Sequence, residues 1–216
     1  MKNIIFIAPP AAGKGTMSEI LMEKYGYKHI STGDILRSMA KSGDEFGNKL
    51  SELLSRGELV PDEVVYEAIQ RRLMQDDLNN GFILDGFPRN IEQAIEYDKI
   101  LSLTGKNLGV VIYLDTPRDI LEKRIVGRRI CPKCGATYNI LTGVNAPKEE
   151  NICDKCHEEL YQREDDNLES FNTRFETFLD KTYPLVDFYE KKNVLYRVKS
   201  VDIDNTISEI EAIIND

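Results

Sequence analysis

Short apolar runs recur along the chain at Lys2–Ile7, His29–Ser31, Phe82–Leu84, Gly109–Leu114 and Val194–Val198, separated by segments in which apolar residues follow a helical period. Runs this short and this continuous suit strands buried on both faces. Their alternation with helices predicts an α/β chain with a parallel sheet covered on both sides. A helix is expected from about Gly13 to Tyr25. The closing segment spaces Ile207, Ile210, Ile213 and Ile214 as one face of a helix turned to the core. Between Arg128 and Arg163 the helical period fades and Gly, Pro, Asn and Thr appear, so this stretch reads as an insertion with its own logic.

The first apolar run leads directly into Ala8-Pro9-Pro10-Ala11-Ala12-Gly13-Lys14-Gly15-Thr16. This is the phosphate-loop pattern G-x-x-x-x-G-K-[ST] with two changes: Ala8 stands at the first glycine, and Gly15 separates Lys14 from the hydroxyl of Thr16. Consecutive backbone N–H groups at a helix N-terminus hold phosphate charge, and Ala11 through Thr16 can supply them. Pro9 and Pro10 have no N–H and stiffen the approach. Lys14 is placed to bridge terminal phosphates, and Thr16 to face a magnesium ion. A second block, Asp85-Gly86-Phe87-Pro88-Arg89, follows the run Gly81-Phe82-Ile83-Leu84 and so emerges at the ligand-binding edge of such a sheet. Asp85 can orient magnesium-bound water there, and Arg89 can reach an anionic group.

All four cysteines fall in the insertion, as Cys131-x2-Cys134 and, after eighteen residues, Cys153-x2-Cys156. That spacing is the pattern of a four-thiolate zinc site, which fills the tetrahedron and makes the metal structural. Two disulfides are the alternative, disfavoured in a reducing compartment. His157 reads as a surface neighbour.

Composition narrows the class. The 216 residues, 41% hydrophobic and 30% charged, fit a globular domain with an insertion, and a formal net charge of −9 argues against a nucleic-acid partner. The initial apolar run is too short for a signal peptide, and no stretch approaches a membrane span, so no membrane is expected and the cytoplasm is the expected compartment.

These motifs together resemble the adenylate kinases, in the long form with a zinc-bearing lid, and the likeness runs from Lys2 to about Tyr189. It rests on the phosphate loop, Ser31-Thr32-Gly33-Asp34-Ile35-Leu36-Arg37, Gly57-Glu58-Leu59-Val60-Pro61-Asp62, the Asp85 block with Gln93, Arg124-Ile125-Val126-Gly127-Arg128-Arg129, and Gln162-Arg163-Glu164-Asp165-Asp166 with Arg174. The resemblance implies the P-loop nucleoside monophosphate kinase fold, with a five-stranded parallel sheet flanked by helices. The expected divisions are a core of residues 1–30, 61–127 and 166–216, an AMP-binding segment at 31–60, and a zinc lid at 128–165. It implies reversible Mg-dependent transfer between ATP and AMP, giving two ADP, by a monomer.

Carried over by position, the resemblance makes Lys14, Arg89, Arg124, Arg128, Arg163 and Arg174 the catalytic cations. Ala11, Ala12, Gly13, Lys14, Gly15, Thr16, Arg124 and Arg128 would hold ATP. Thr32, Arg37, Leu59, Val60, Gly86, Arg89, Gln93, Arg163 and Arg174 would hold AMP. Asp85 would hold the magnesium water, Cys131, Cys134, Cys153 and Cys156 the zinc, and Asp165 and Asp166 the salt bridges that bias lid closure. Glycine is the familiar residue at Ala8 and Ala11. A positive φ at either would cost on the order of 1 kcal/mol and weaken ATP binding, so glycine at both positions is expected to lower the KM for ATP.

Overall fold

The structure, a computed structural model, describes residues 1–55, 60–78, 80–143, 145–163 and 165–216, and of Asp34, Arg37, Lys49 and 52–55 the backbone alone. Leu59, Gly57 and Glu58 therefore lie outside the described residues, as does the side chain of Arg37. Along the chain run β1 (Ile4–Ile7), α1 (Lys14–Tyr25), β2 (Lys28–Ser31), α2 (Thr32–Met39), α3 (Glu45–Ser55), α4 (Asp62–Leu73), β3 (Phe82–Asp85), α5 (Ile91–Thr104), β4 (Val110–Asp115), α6 (Arg118–Gly127), β5 (Arg128–Ile130), β6 (Thr137–Asn139), α7 (Leu168–Thr177), α8 (Pro184–Lys191), β7 (Leu195–Lys199) and α9 (Ile203–Asn215).

Five strands form one parallel sheet in the order β2-β3-β1-β4-β7, as the apolar runs lead one to expect. Successive side chains of a strand point to opposite faces, and the two core clusters divide accordingly. Ile5, Ile7, Leu84, Val111 and Tyr113 pack on one face with residues of α4, α5 and α8. Ile4, Phe6, Ile83, Val110, Ile112 and Leu114 pack on the other with α1, α6, α7 and α9. The strands β1 and β4 are therefore apolar almost throughout, because neither face meets water. Ile210 and Ile214 of α9 are buried, while Ile207 and Ile213 pack at the margin of the same cluster.

The strand order places the site. β1 lies between β3 and β4, so its C-terminal end is a topological switch point, where open α/β sheets bind ligands. β3 is its direct neighbour, which brings Asp85 to the side of the loop after β1.

The insertion folds on a different plan. β5 and β6 pair antiparallel, and Ile130 also bridges Tyr161. Its apolar centre is small: Cys131, Ala136, Tyr138, Cys153 and Leu160. It is stitched to the sheet domain by Asn139 Nδ2, which donates to the Arg124 carbonyl at 2.8 Å, and by Gln162 Nε2, which donates to the carbonyls of Val126 and Asp166.

Candidate active site

The loop between β1 and α1 is shaped for an anion. Asn90, Asn167 and Asp202 cap α5, α7 and α9 with their side chains; α1, with Gly13 at φ 99° as its N-cap, has no side-chain cap, and unlike the equally uncapped α4 and α6 it has no acidic residue in its first turn. Its N-terminal N–H groups and the positive end of its dipole are left for a ligand. Ala11 lies in the left-handed region at φ 64°, whereas Ala8 does not and is buried at the end of β1. Of the two alanines, only Ala11 therefore carries the strain that a positive φ imposes. Ala8 differs because it lies just past β1 without a positive φ, with its methyl in the same buried cluster as Phe6.

Asp85 meets this loop. Lys14 Nζ lies 3.3 Å from Asp85 Oδ1, and His29 Nε2 lies 3.6 Å from Oδ2. Burial opposes ionisation of Asp85, but the His29 imidazole beside it and the charge of Lys14 prevail and hold its carboxyl well below the usual range. Asp85 is an ionised oxygen donor at any working pH. The set of Asp85 and the Thr16 hydroxyl fits a hard cation such as Mg2+.

One cleft is lined by residues 9–17, Asp85, Arg124, Arg128, Arg163 and Arg174, so the cations expected of the ATP and transfer region are gathered in one place. Three are held by partners. Arg128 grips the fully buried Asp166 with two bonds, one of 2.8 Å from Nε. Arg174 Nη1 sits 3.0 Å from Asp165. Arg124 donates to the Val201 carbonyl at 2.9 Å, and burial lowers its pKa. Arg163 is exposed at the cleft wall.

Arg89 lies in a second group, with Gly86, Thr32 and Gln93. Gly86, at φ 81°, leaves room that a side chain would lose against Arg89 Nη2 and Thr32 Oγ1. Arg89 Nε donates to the Gly86 carbonyl at 2.7 Å, and Thr32 donates to the Asp85 carbonyl at 3.2 Å. Gln93 is buried with its amide fixed at both ends: Oε1 accepts from the Arg89 N–H and Nε2 donates to Asp62, each at 2.8 Å. A backbone N–H only donates and a carboxylate only accepts, so this amide cannot be turned round. Val60 packs at the edge of the same core.

The four thiols converge, with all their sulfur atoms within 4.8 Å of one another. A tetrahedron with metal–sulfur bonds of about 2.3 Å has sulfur–sulfur edges of about 3.8 Å, so the cluster fits a Zn2+ ion. The nearest contacts, Cys131–Cys156 at 3.3 Å and Cys134–Cys153 at 3.5 Å, are too long for disulfide bonds. The two halves repeat one turn. Gly135 donates its N–H to the Cys131 carbonyl and His157 its N–H to the Cys153 carbonyl, both with positive φ. His157 is thus a turn residue, exposed beside the site. Behind the sulfurs, the Tyr138 hydroxyl accepts from the Asp154 N–H and lies 3.4 Å from Cys153 Sγ. Burial would raise the Cys153 thiol, but this bond and nearby backbone N–H groups push it down to about 6.

Sequence reasoning passed over His29, Asp62 and Ser200. His29 looked like any strand residue, and Ser200 carries no motif. Asp62 stood within a quoted segment, but its bond to Gln93 crosses thirty-one positions.

A phosphate-type loop at the end of the first strand of a five-stranded parallel sheet, a cleft lined by fixed cations and a small four-cysteine insertion are the arrangement of a P-loop nucleoside monophosphate kinase. A family model described as Adenylate kinase matches residues 6–194. The chain is similar to the adenylate kinase of Thermotoga neapolitana, 45% identical over 216 residues, covering 99% of this chain and 97% of that one. It is similar also to that of Archaeoglobus fulgidus, 47% identical over 213 residues, covering 98% and 97%. This chain belongs to the adenylate kinase family, and it is a phosphotransferase.

Proposed function

We propose that the chain catalyses reversible transfer of the terminal phosphoryl group of MgATP to AMP, giving two ADP. The observation that carries this reading is the convergence of Lys14, Arg124, Arg128, Arg163 and Arg174 around the phosphate loop, with Asp85 joining that cleft to the Thr32, Arg89 and Gln93 cluster. An oxygen of the AMP phosphate attacks the terminal phosphorus of ATP, and the bond to the ADP oxygen breaks. The nucleophile is already an anion, so no base is required, and positioning with charge stabilisation does the catalysis.

In this reading, N–H groups of residues 11–16 and Lys14 hold the ATP phosphates. Arg124, Arg128, Arg163 and Arg174 surround the transferring group, and the guanidinium fork suits two phosphate oxygens at once. Arg89, with Arg37, clamps the AMP phosphate. Gln93 reads adenine with the N–H and oxygen lone pair that Asp62 and Arg89 leave over, while Thr32, Gly86, Val60 and Leu59 border the same pocket. Mg2+ bound near Asp85 and Thr16 would neutralise phosphate charge.

Residues 128–165 act as a lid over the cleft and 31–60 as the AMP-binding segment, on a core of 1–30, 61–127 and 166–216. Closure excludes water, which would otherwise accept the phosphoryl group. Zn2+ on Cys131, Cys134, Cys153 and Cys156 would supply folding energy that the small lid core lacks. The reading carries a monomer in the cytoplasm, free of nucleic acid and membrane. Among the described residues no helix is long and apolar enough to cross a membrane.

The test supplies MgATP with equal AMP, CMP, UMP and GMP and quantifies each diphosphate by chromatography, with Lys14→Ala as control. ADP formed in step with AMP loss is expected. Consumption of another monophosphate would reassign the base, and no transfer to any acceptor would defeat the reading.

A further inference from the structure

Ser200 lies just past β7, on the wall of the cleft behind the phosphate loop, and is buried. Its backbone is tied at both ends to the end of β4: its N–H donates to the Asp115 carbonyl at 2.9 Å, and its carbonyl accepts from Thr116 Oγ1 at 3.2 Å. Its hydroxyl donates to the carbonyl of Ala12 at 2.7 Å, in a buried bond that spans 188 positions of sequence. Arg124 Nη1 makes a longer contact, 3.4 Å, with the same carbonyl.

The C=O and N–H of a trans peptide point in opposite directions. Fixing the Ala12 carbonyl therefore also fixes the Gly13 N–H, aimed away from Ser200. The peptide needs fixing because its neighbours are unusual: Ala11 sits at φ 64° and Gly13 at φ 99°. An alanine resists the left-handed region, and a loop that contains one relaxes by rotating nearby peptides unless something opposes it.

We infer that Ser200 is a positioning residue for phosphoryl transfer: its hydroxyl sets the direction of the Ala12–Gly13 peptide, and so aims a phosphate-gripping N–H in a loop that carries alanine in a left-handed conformation. This rests on the proposal that the loop holds the ATP phosphates. Ser200 touches no reacting atom in this account. It acts through the loop, and Arg124 donates to the same carbonyl only in a longer, weaker bond of 3.4 Å.

The experiment compares Ser200→Ala and Ser200→Thr for kcat, for KM of MgATP and of AMP, and for inhibition by inorganic tripolyphosphate, which offers phosphates without a base. Ser200→Ala is expected to weaken MgATP and tripolyphosphate together, by about fivefold, the worth of one net hydrogen bond. The KM of AMP should stay within about twofold, and Ser200→Thr, which keeps the hydroxyl, should restore the phosphate affinity. In an Ala11→Gly background, where the left-handed residue is unstrained, the loss from Ser200→Ala should shrink. A lowered melting temperature with both phosphate affinities unchanged would make Ser200 merely structural. Weaker MgATP with unchanged tripolyphosphate would make it a base contact, and an equal loss in both backgrounds would sever it from Ala11. Any of these overturns the inference. Undiminished MgATP and tripolyphosphate affinity in Lys14→Ala would instead remove the reading of the loop on which it rests.

Discussion

The same substitution made three residues apart is expected to act with opposite sign. Ala11→Gly relieves an alanine held at φ 64°, worth about 1–2 kcal/mol, against about 0.5–1 kcal/mol for the greater freedom that glycine gives the unfolded chain. The net is a gain of roughly 0.5–1 kcal/mol. Ala8→Gly relieves no such strain. It removes a methyl buried beside Phe6, about 0.8 kcal/mol, and adds the same glycine cost, for a loss of roughly 1.5 kcal/mol. For a chain of this size 1 kcal/mol moves the melting temperature by about 2–4 °C, so the variants should lie on either side of the parent and about 4–10 °C apart. Calorimetry with nucleotide absent measures this directly. The lower KM for ATP expected of the double reversion is then assigned to Ala11, with Ala8→Gly neutral in KM. Two variants shifting the same way, or Ala11→Gly destabilising, would refute the strain argument.

Chelation with verified metal loss should lower the melting temperature and expose residues 128–165 to protease before the sheet domain, and identical digestion patterns would count against a metal-built lid. Asp62→Ala removes one of the two bonds that hold the Gln93 amide, so the KM for AMP should rise about fivefold and the preference for AMP over GMP should fall, read from paired steady-state assays; unchanged selectivity would dissociate Asp62 from base reading. Asp85→Asn should reduce stability at pH 7. Because the folded carboxyl titrates below its ordinary 3.8, that contribution is complete above pH 3.8 and fades as pH falls through the depressed folded value, so the two unfolding curves should converge in acid. A constant gap down to strong acid would contradict the Lys14 and His29 pairing.

The central strands β1, β3 and β4 were legible because each is a short apolar run, and a strand buried on both faces has little choice of composition; the edge strands β2 and β7 are half-exposed and mix in Lys, His and Arg. The loop at 8–16 and the Cys131 to Cys156 pattern were legible because their chemistry is local: neighbouring amides grip an anion, and two residues between thiols close one turn. What sequence hid was long-range or conformational. Nothing in the chain distinguishes Ala8 from Ala11, since only the backbone angle separates a strand end from a left-handed turn. The Ser200 hydroxyl and the Asp62 carboxylate act on partners that proximity in sequence does not suggest. Strand ends shifted by one or two positions, as β1 did from Lys2 to Ile4, because pairing rather than hydrophobicity sets them.

The brace from Ser200 to Ala12 also bears on how this protein is made. The phosphate loop is synthesised well before its partners: its strand lies between β3 and β4, and the hydroxyl that braces it follows 188 positions later. Helix α9, which packs beside Met17 and Leu21 of α1 and whose Glu211 pairs with Lys24, follows later still. A parallel sheet of this order cannot close until distant segments meet. A nascent chain stalled before residue 200 should therefore carry the complete motif and yet grip phosphate poorly.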